Sequence, residues 1–223
     1  MNYKLFIQAI TKFLLGFLIV ALLIFVSAGT IKFWQGWLFM CLLFLPMFIA
    51  GIILMFKNPN LLRIRLNAKE KEQEQKDVVL LSGIMFIVGF IIAGLNYRYQ
   101  WHLLPNIVVY IASIIFLLSY LMYAVVLKEN TFLSRTIEVQ DNQKLVDTGL
   151  YGVVRHPMYT ATIFLFLSMP LILGSIYSFI MFLMYPFLMI KRINNEEIVL
   201  EKELSGYKEY KNKVKYKLFP FIY

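Results

Sequence analysis

The amino-acid sequence predicts an all-α, polytopic membrane helix bundle of about six membrane segments. Three observations carry that prediction. First, 60% of the 223 residues are hydrophobic and 16% are charged, with a mean hydropathy of +0.70. Soluble domains are nearer about 45–50% apolar and about 25% charged, so much of this surface must face hydrocarbon. Second, the apolar residues come in long blocks of the length that crosses a bilayer. Third, the basic residues between those blocks fall almost entirely on one side of the membrane once the blocks are threaded through it.

The blocks run roughly 9–31, 36–56, 78–96, 104–127, 158–173 and 176–190. Within the first, the apolar run that follows Lys12 is too long for a signal-peptide core. It is not interrupted by a small-residue cleavage pattern, so it reads as an uncleaved first span. The first four have the ~20 residues that cover ~30 Å at 1.5 Å per residue. The last two are shorter and separated only by Leu173-Gly174-Ser175, which leaves one overlong span or a tight helical hairpin.

Charge decides between them. If the N-terminus is cytoplasmic and all six blocks cross, every Lys and Arg except Lys32 and Arg98 lies inside. A single merged span would move the eight basic residues after position 190 outside, against the positive-inside bias. Gly174-Ser175 supplies the break that a hairpin needs, and Pro170 limits regular helix before it. Both chain ends are therefore expected in the cytoplasm. The polar stretch 67–77, NAKEKEQEQKD, reads as a solvated extension between spans. In NNEEIVLEKELSGYKEYKNKVKYKLFPFIY, Ile198, Leu200 and Leu204 fall near helical spacing opposite Lys and Glu. That pattern predicts a cytoplasmic helix lying on the membrane or capping the bundle.

The net charge of +9 fits membrane topology and anionic lipid, and nucleic acid is not expected as a partner. The single cysteine, Cys41, sits in an apolar block and cannot make an internal disulfide. No metal site is expected.

Ionisable residues beside membrane spans are candidates for function, because charge is costly in hydrocarbon. Arg155 and His156 precede the fifth block; Arg192, Glu196 and Glu197 follow the sixth. A hairpin returns its second arm to the starting side, so the two groups should meet at its mouth. In a helix, Arg192 and Glu196 share a face. Each feature also has a plainer account: Pro157 at a helix start, snorkelling Arg and Lys, and Asn-Asn-Glu-Glu as a helix entry.

The stretch from about 130 to 223 resembles the isoprenylcysteine carboxyl methyltransferase family, in its bacterial branch. The resemblance rests on NTFLSRTIEVQ, KLVDTGLYGVVRHPMYTA, LGS, RINNEE and ELSGYKEYKNKVKYKLFP, in the family's order and approximate spacing. It implies an S-adenosylmethionine-dependent methyltransferase of the carboxyl O-methyltransferase type, acting on an isoprenylcysteine-like or other lipophilic acceptor. Residues 1–127 would then form a membrane region of four spans and residues 128–223 the cofactor-binding region. The implied cofactor-binding residues are Gln140, Gln143, Lys144, Leu145, Val146, Tyr151, His156, Pro157, Met158, Tyr159 and Glu196. Arg192 falls where the family places a substrate-contacting arginine, the catalytic candidate. Two positions depart from the family pattern: Ala161 stands where glycine is common, and Gln143 where histidine is frequent. The implied location is the bacterial inner membrane, with the cofactor site cytoplasmic.

Two rival readings accompany this one. Phospholipid N-methylation would need a base to deprotonate the amine near neutral pH, and few residues outside the cofactor set could serve. A binding or transport protein would call for polar residues deep within spans; for this the first four blocks offer mostly Ser, Thr, Gln and Gly, with no buried acid or base pair, and these suit helix packing.

Overall fold

A computed structural model describes residues 3–67, 73–133, 139–140 and 142–223. The central part of the 67–77 stretch (68–72), part of NTFLSRTIEVQ (134–138) and residue 141 lie outside the described residues. The described chain is helical and forms no sheet; Leu103 and Ser175 make one isolated antiparallel bridge. The protein is an all-α integral membrane protein.

Helix α1 spans Tyr3–Ala28, α2 Trp34–Lys57, α3 Pro59–Leu66, α4 Gln73–Tyr99 and α5 Asn106–Glu129. After a single 3-10 turn at Gly149–Gly152 come α6 (Pro157–Ile172), α7 (Ile176–Phe182), α8 (Tyr185–Glu203) and α9 (Tyr207–Lys213). Among the described residues, five helical stretches are long and apolar enough to cross a membrane: α1, α2, α4, α5 and the stretch Ile176–Glu203, which joins α7 to α8. The fifth expected block corresponds to α6, which is apolar but only 16 residues long. At 1.5 Å per residue it covers about 24 Å, short of the ~30 Å hydrocarbon core.

The expected hairpin is present. Gly174 adopts φ +71° at its tip, a conformation that L side chains rarely accept. Ser175 then caps α7 by accepting from the Ser178 amide at 3.2 Å. Pro170 does not end α6, which runs two residues beyond it. The second arm bends at Leu183-Met184, with Pro186 in the first turn of α8, where its missing N–H costs nothing.

Two expectations from sequence need correction. Asn-Asn-Glu-Glu does not begin a surface helix. Helix α8 runs unbroken through it to Glu203, Ile198 points outward at 68% exposure, and the separate C-terminal helix is the shorter α9. The 67–77 stretch is also not wholly a solvated extension, because Gln75, in the first turns of α4, is fully buried.

Helix α5 packs along α6, α1 along α4, and α4 against α7 and α8. A shared core runs from Ile24 and Phe39 through Phe90 and Phe116 to Phe182, Ile193 and Leu218. Edge-to-face aromatic contacts such as Phe86–Phe166 and Phe86–Phe182 fill it. The α1–α4 crossing depends on Gly94, where a Cβ would overlap Ser27 Oγ and stand 2.7 Å from the Ile24 carbonyl oxygen. Small residues allow such close approach between membrane helices. Gly94→Ala is therefore expected to lower the thermal midpoint in detergent, at a cost of about 1–3 kcal/mol. Gly51→Ala, with open space at its Cβ, serves as the neutral control.

Candidate active site

The polar residues gather where the start of α6 meets the second half of α8. His156 occupies the cap position of α6 and Pro157 its first helical position, a place suited to a residue without an N–H. The amides of Arg155 and His156 donate to the carbonyls of Tyr216 and Lys217, each at 2.9 Å. The C-terminal tail is thus strapped across the entrance to α6.

Glu197 is the centre of this strap. Its Oε1 accepts from Arg155 Nε at 2.7 Å and from the Tyr207 hydroxyl at 3.5 Å, and lies 3.1 Å from His156 Nε2. Its Oε2 lies 3.3 Å from Lys217 Nζ. The Arg155 guanidinium also donates to the carbonyls of Val214 and Lys215, both at 2.7 Å. Arg155, His156 and Glu197 are all buried. A buried ion pair is sustained only when its remaining donors and acceptors are satisfied, and the tail carbonyls do that for Arg155.

One position earlier on α8, Glu196 serves a different neighbourhood. The Tyr159 hydroxyl donates to Glu196 Oε2 at 2.5 Å and accepts from Arg192 Nε at 3.0 Å. Arg192 Nη1 donates to Gln75 Oε1 at 3.4 Å. The i, i+4 spacing places Arg192 and Glu196 on one face of α8, against Tyr159 on α6.

A cleft opens beside these groups. Its wall includes Gln143, Lys144, Leu145, Val146, Tyr151, His156, Met158, Tyr159, Arg192 and Glu196, brought together from three separate stretches. Two candidates from sequence are off the wall. Pro157 is buried in the first turn of α6. Gln140 forms a local turn in which its amide donates to Gln143 Oε1 at 2.9 Å and its carbonyl accepts from the Gln143 amide at 3.0 Å. Gln143 thus braces the loop on which Lys144 to Val146 reach the cleft.

Arg155, a candidate from its place before the fifth block, is on the wall, and sequence reading missed several others: Asn130, Val199, Leu200, Tyr207 and Tyr210. Tyr207 and Tyr210, three apart on α9, were readable as one apolar face. Their cluster with Leu204 and Val214, joined by Leu145 and Val139, packs α9 against the loop. The Tyr210 hydroxyl donates to the Tyr151 carbonyl at 2.8 Å, and Asn130 Nδ2 donates to the Tyr151 hydroxyl at 3.2 Å. Burial pushes the phenols of Tyr151, Tyr207 and Tyr210 above their ordinary value; nearby Glu197 and Glu196 push Tyr207 further. All three remain neutral donors near pH 7 and cannot act as bases there.

Residues 108–202 match the model of the Isoprenylcysteine carboxyl methyltransferase (ICMT) family. Over this region the chain is similar to that family. The match begins inside α5 rather than near residue 130. It ends one residue before the close of α8, short of the 203–223 stretch to which the resemblance was expected to extend. No curated protein matches the chain. The match to the ICMT family, with the apolar helices, supports a membrane methyltransferase. It also divides the site: Tyr151, His156, Tyr159, Arg192, Glu196 and Glu197 lie within the family region, whereas Gln75, Tyr207, Tyr210 and Lys217 lie outside it.

Proposed function

We propose that the protein is an S-adenosylmethionine-dependent methyltransferase that O-methylates the carboxylate of a lipophilic, isoprenylcysteine-like acceptor. The observation that carries this is the joining, in one cleft, of a carboxylate (Glu196), an arginine (Arg192) and a loop-and-helix wall of aromatic and aliphatic groups.

The wall suits the cofactor's chemistry. S-Adenosylmethionine, when bound, supplies an electrophilic methyl group on a sulfonium. Glu196 is the acceptor for its ammonium or ribose hydroxyls. Lys144 and the positive end of the α6 dipole, at His156, are suited to its carboxylate. Leu145, Val199, Leu200 and Leu204 offer apolar surface for a purine. Gln143, Tyr151, Met158 and Tyr159 complete the enclosure, with Gln140 and Pro157 shaping it from behind.

Arg192 holds the acceptor. A carboxylate is already nucleophilic and needs no general base, so the chain's tasks are to align it and keep water away. The neutral phenols of Tyr151, Tyr207 and Tyr210 fit that requirement. An amine acceptor would need deprotonation, for which these phenols are unsuited. We place residues 1–127 as the membrane region that presents the lipid and 128–223 as the region that binds cofactor. We also place the site and both termini at the cytoplasmic face of a bacterial inner membrane. Charge asymmetry supports that orientation. The donation from Lys12 Nζ to the Leu66 carbonyl brings the first half of α1 to the end of α3, on one side of the bundle.

The test uses detergent-purified protein, methyl-labelled S-adenosylmethionine, and either N-acetyl-S-farnesylcysteine or phosphatidylethanolamine vesicles. Label recovered as a base-labile methyl ester on the farnesylcysteine is expected. Base-stable label on the lipid amine, with none on the farnesylcysteine, would contradict the carboxyl assignment.

A further inference from the structure

We propose that Gln75 is a positioning residue for the transfer reaction. It acts from the N-terminal half of the chain by holding the Arg192 guanidinium toward the cleft. The inference deepens the function proposed above and rests on the acceptor role given there to Arg192.

Gln75 lies in a stretch that composition marks as polar and solvated, yet it is fully buried where α4 packs against α8. Lys76 and Asp77 beside it are exposed, and Val78 is buried, so Gln75 and Val78 share the inward face of α4. Burying an amide without satisfying it is unfavourable. Gln75 Nε2 has no hydrogen-bond partner among the described residues. A leucine or methionine would fill the same space without that cost; what the amide adds is its oxygen.

That oxygen accepts from Arg192 Nη1 at 3.4 Å, while Arg192 Nε donates to Tyr159 at 3.0 Å and Tyr159 donates to Glu196. Arginine has a long, flexible stem and a planar fork, and its recognition of a carboxylate depends on the plane of that fork. Two anchors on different helices, Tyr159 on α6 and Gln75 on α4, define the plane. The path Gln75–Arg192–Tyr159–Glu196 also ties α4, which precedes the family region, to the cleft wall. A small misplacement of such a fork is enough to reduce transfer substantially.

Two variants and a cycle test the inference. Gln75→Leu removes the acceptor oxygen, and Gln75→Glu keeps one. Gln75→Leu is expected to raise the KM for N-acetyl-S-farnesylcysteine, or lower kcat/KM, by about tenfold or more while changing the S-adenosylmethionine Kd by less than about twofold. Gln75→Glu should recover most of that loss. Thermal midpoints of Gln75→Leu, Arg192→Leu and the double variant should be non-additive, because each removes the same contact.

Additive midpoints overturn the inference whatever the acceptor is. So does unchanged transfer in a Gln75→Leu protein whose midpoints are coupled, since Gln75 would then be structural only. Equal losses of cofactor binding and transfer overturn it as well. If the wild-type protein methylates no farnesylcysteine, the acceptor assignment falls by itself, and the midpoint cycle still decides whether Gln75 holds Arg192.

Discussion

Glu197→Leu is expected to cost about 3–5 kcal/mol, the range seen when one partner of a buried ion pair is removed. The carboxylate has Arg155, His156, Lys217 and Tyr207 around it and is almost wholly buried. Its loss leaves the Arg155 guanidinium charged with no anion and loosens the tail that Arg155 holds through Val214 and Lys215. Thermal unfolding followed by tryptophan fluorescence, with limited proteolysis of the 207–223 segment, reads both effects. Arg155→Met combined with Glu197→Leu should recover part of the loss, because an apolar pair can replace a buried ion pair. Recovery will be incomplete, since the tail carbonyls keep no substitute donor. A Glu197→Leu protein that melts with the wild type would show that the strap is not held by this pair.

Arg192→Leu should lower kcat/KM for the acceptor by about 10²–10³ while leaving cofactor affinity nearly unchanged, a loss of the size found for preorganised groups aimed at reacting charge. Arg192→Lys should fall between the two, since lysine keeps the charge but lacks the planar fork that meets Tyr159 and Gln75 together. Transfer kinetics beside cofactor calorimetry separate this from a structural role. Loss of cofactor binding in step with transfer would place Arg192 in the framework rather than at the acceptor.

The membrane architecture was legible because hydropathy is a local, linear property: α1, α2, α4 and α5 appear as apolar blocks. The hairpin was legible because the basic residues after position 190 would otherwise lie on the wrong side of the membrane. Where tertiary contacts override local signals, the sequence misled. Asn194-Asn195-Glu196-Glu197 looks like a helix entry, but α8 continues through it because both carboxylates find partners on other elements, Tyr159 for one and Arg155 for the other. Neighbouring positions on a helix are about 100° apart, so composition could not say that Glu196 faces the cleft and Glu197 the strap. Arg155 meets tail carbonyls some sixty positions away, a closure that carries no local mark. Gln75 was hidden for a related reason: polar residues around it pointed to solvent, while the inward face of α4 begins earlier than its apolar block. His-Pro at 156–157 did mark the start of α6, and the Leu173–Ser175 break marked its return.

Cofactor binding tests the central claim most directly: calorimetric titration of the detergent-purified protein with S-adenosylmethionine, beside Glu196→Ala. Saturable binding to the wild type, weakened tenfold or more in a Glu196→Ala protein that melts normally, is the expected result (about 1.4 kcal/mol or more). Equal binding by both proteins, or none by a folded wild type, would contradict a cofactor cleft closed by Glu196.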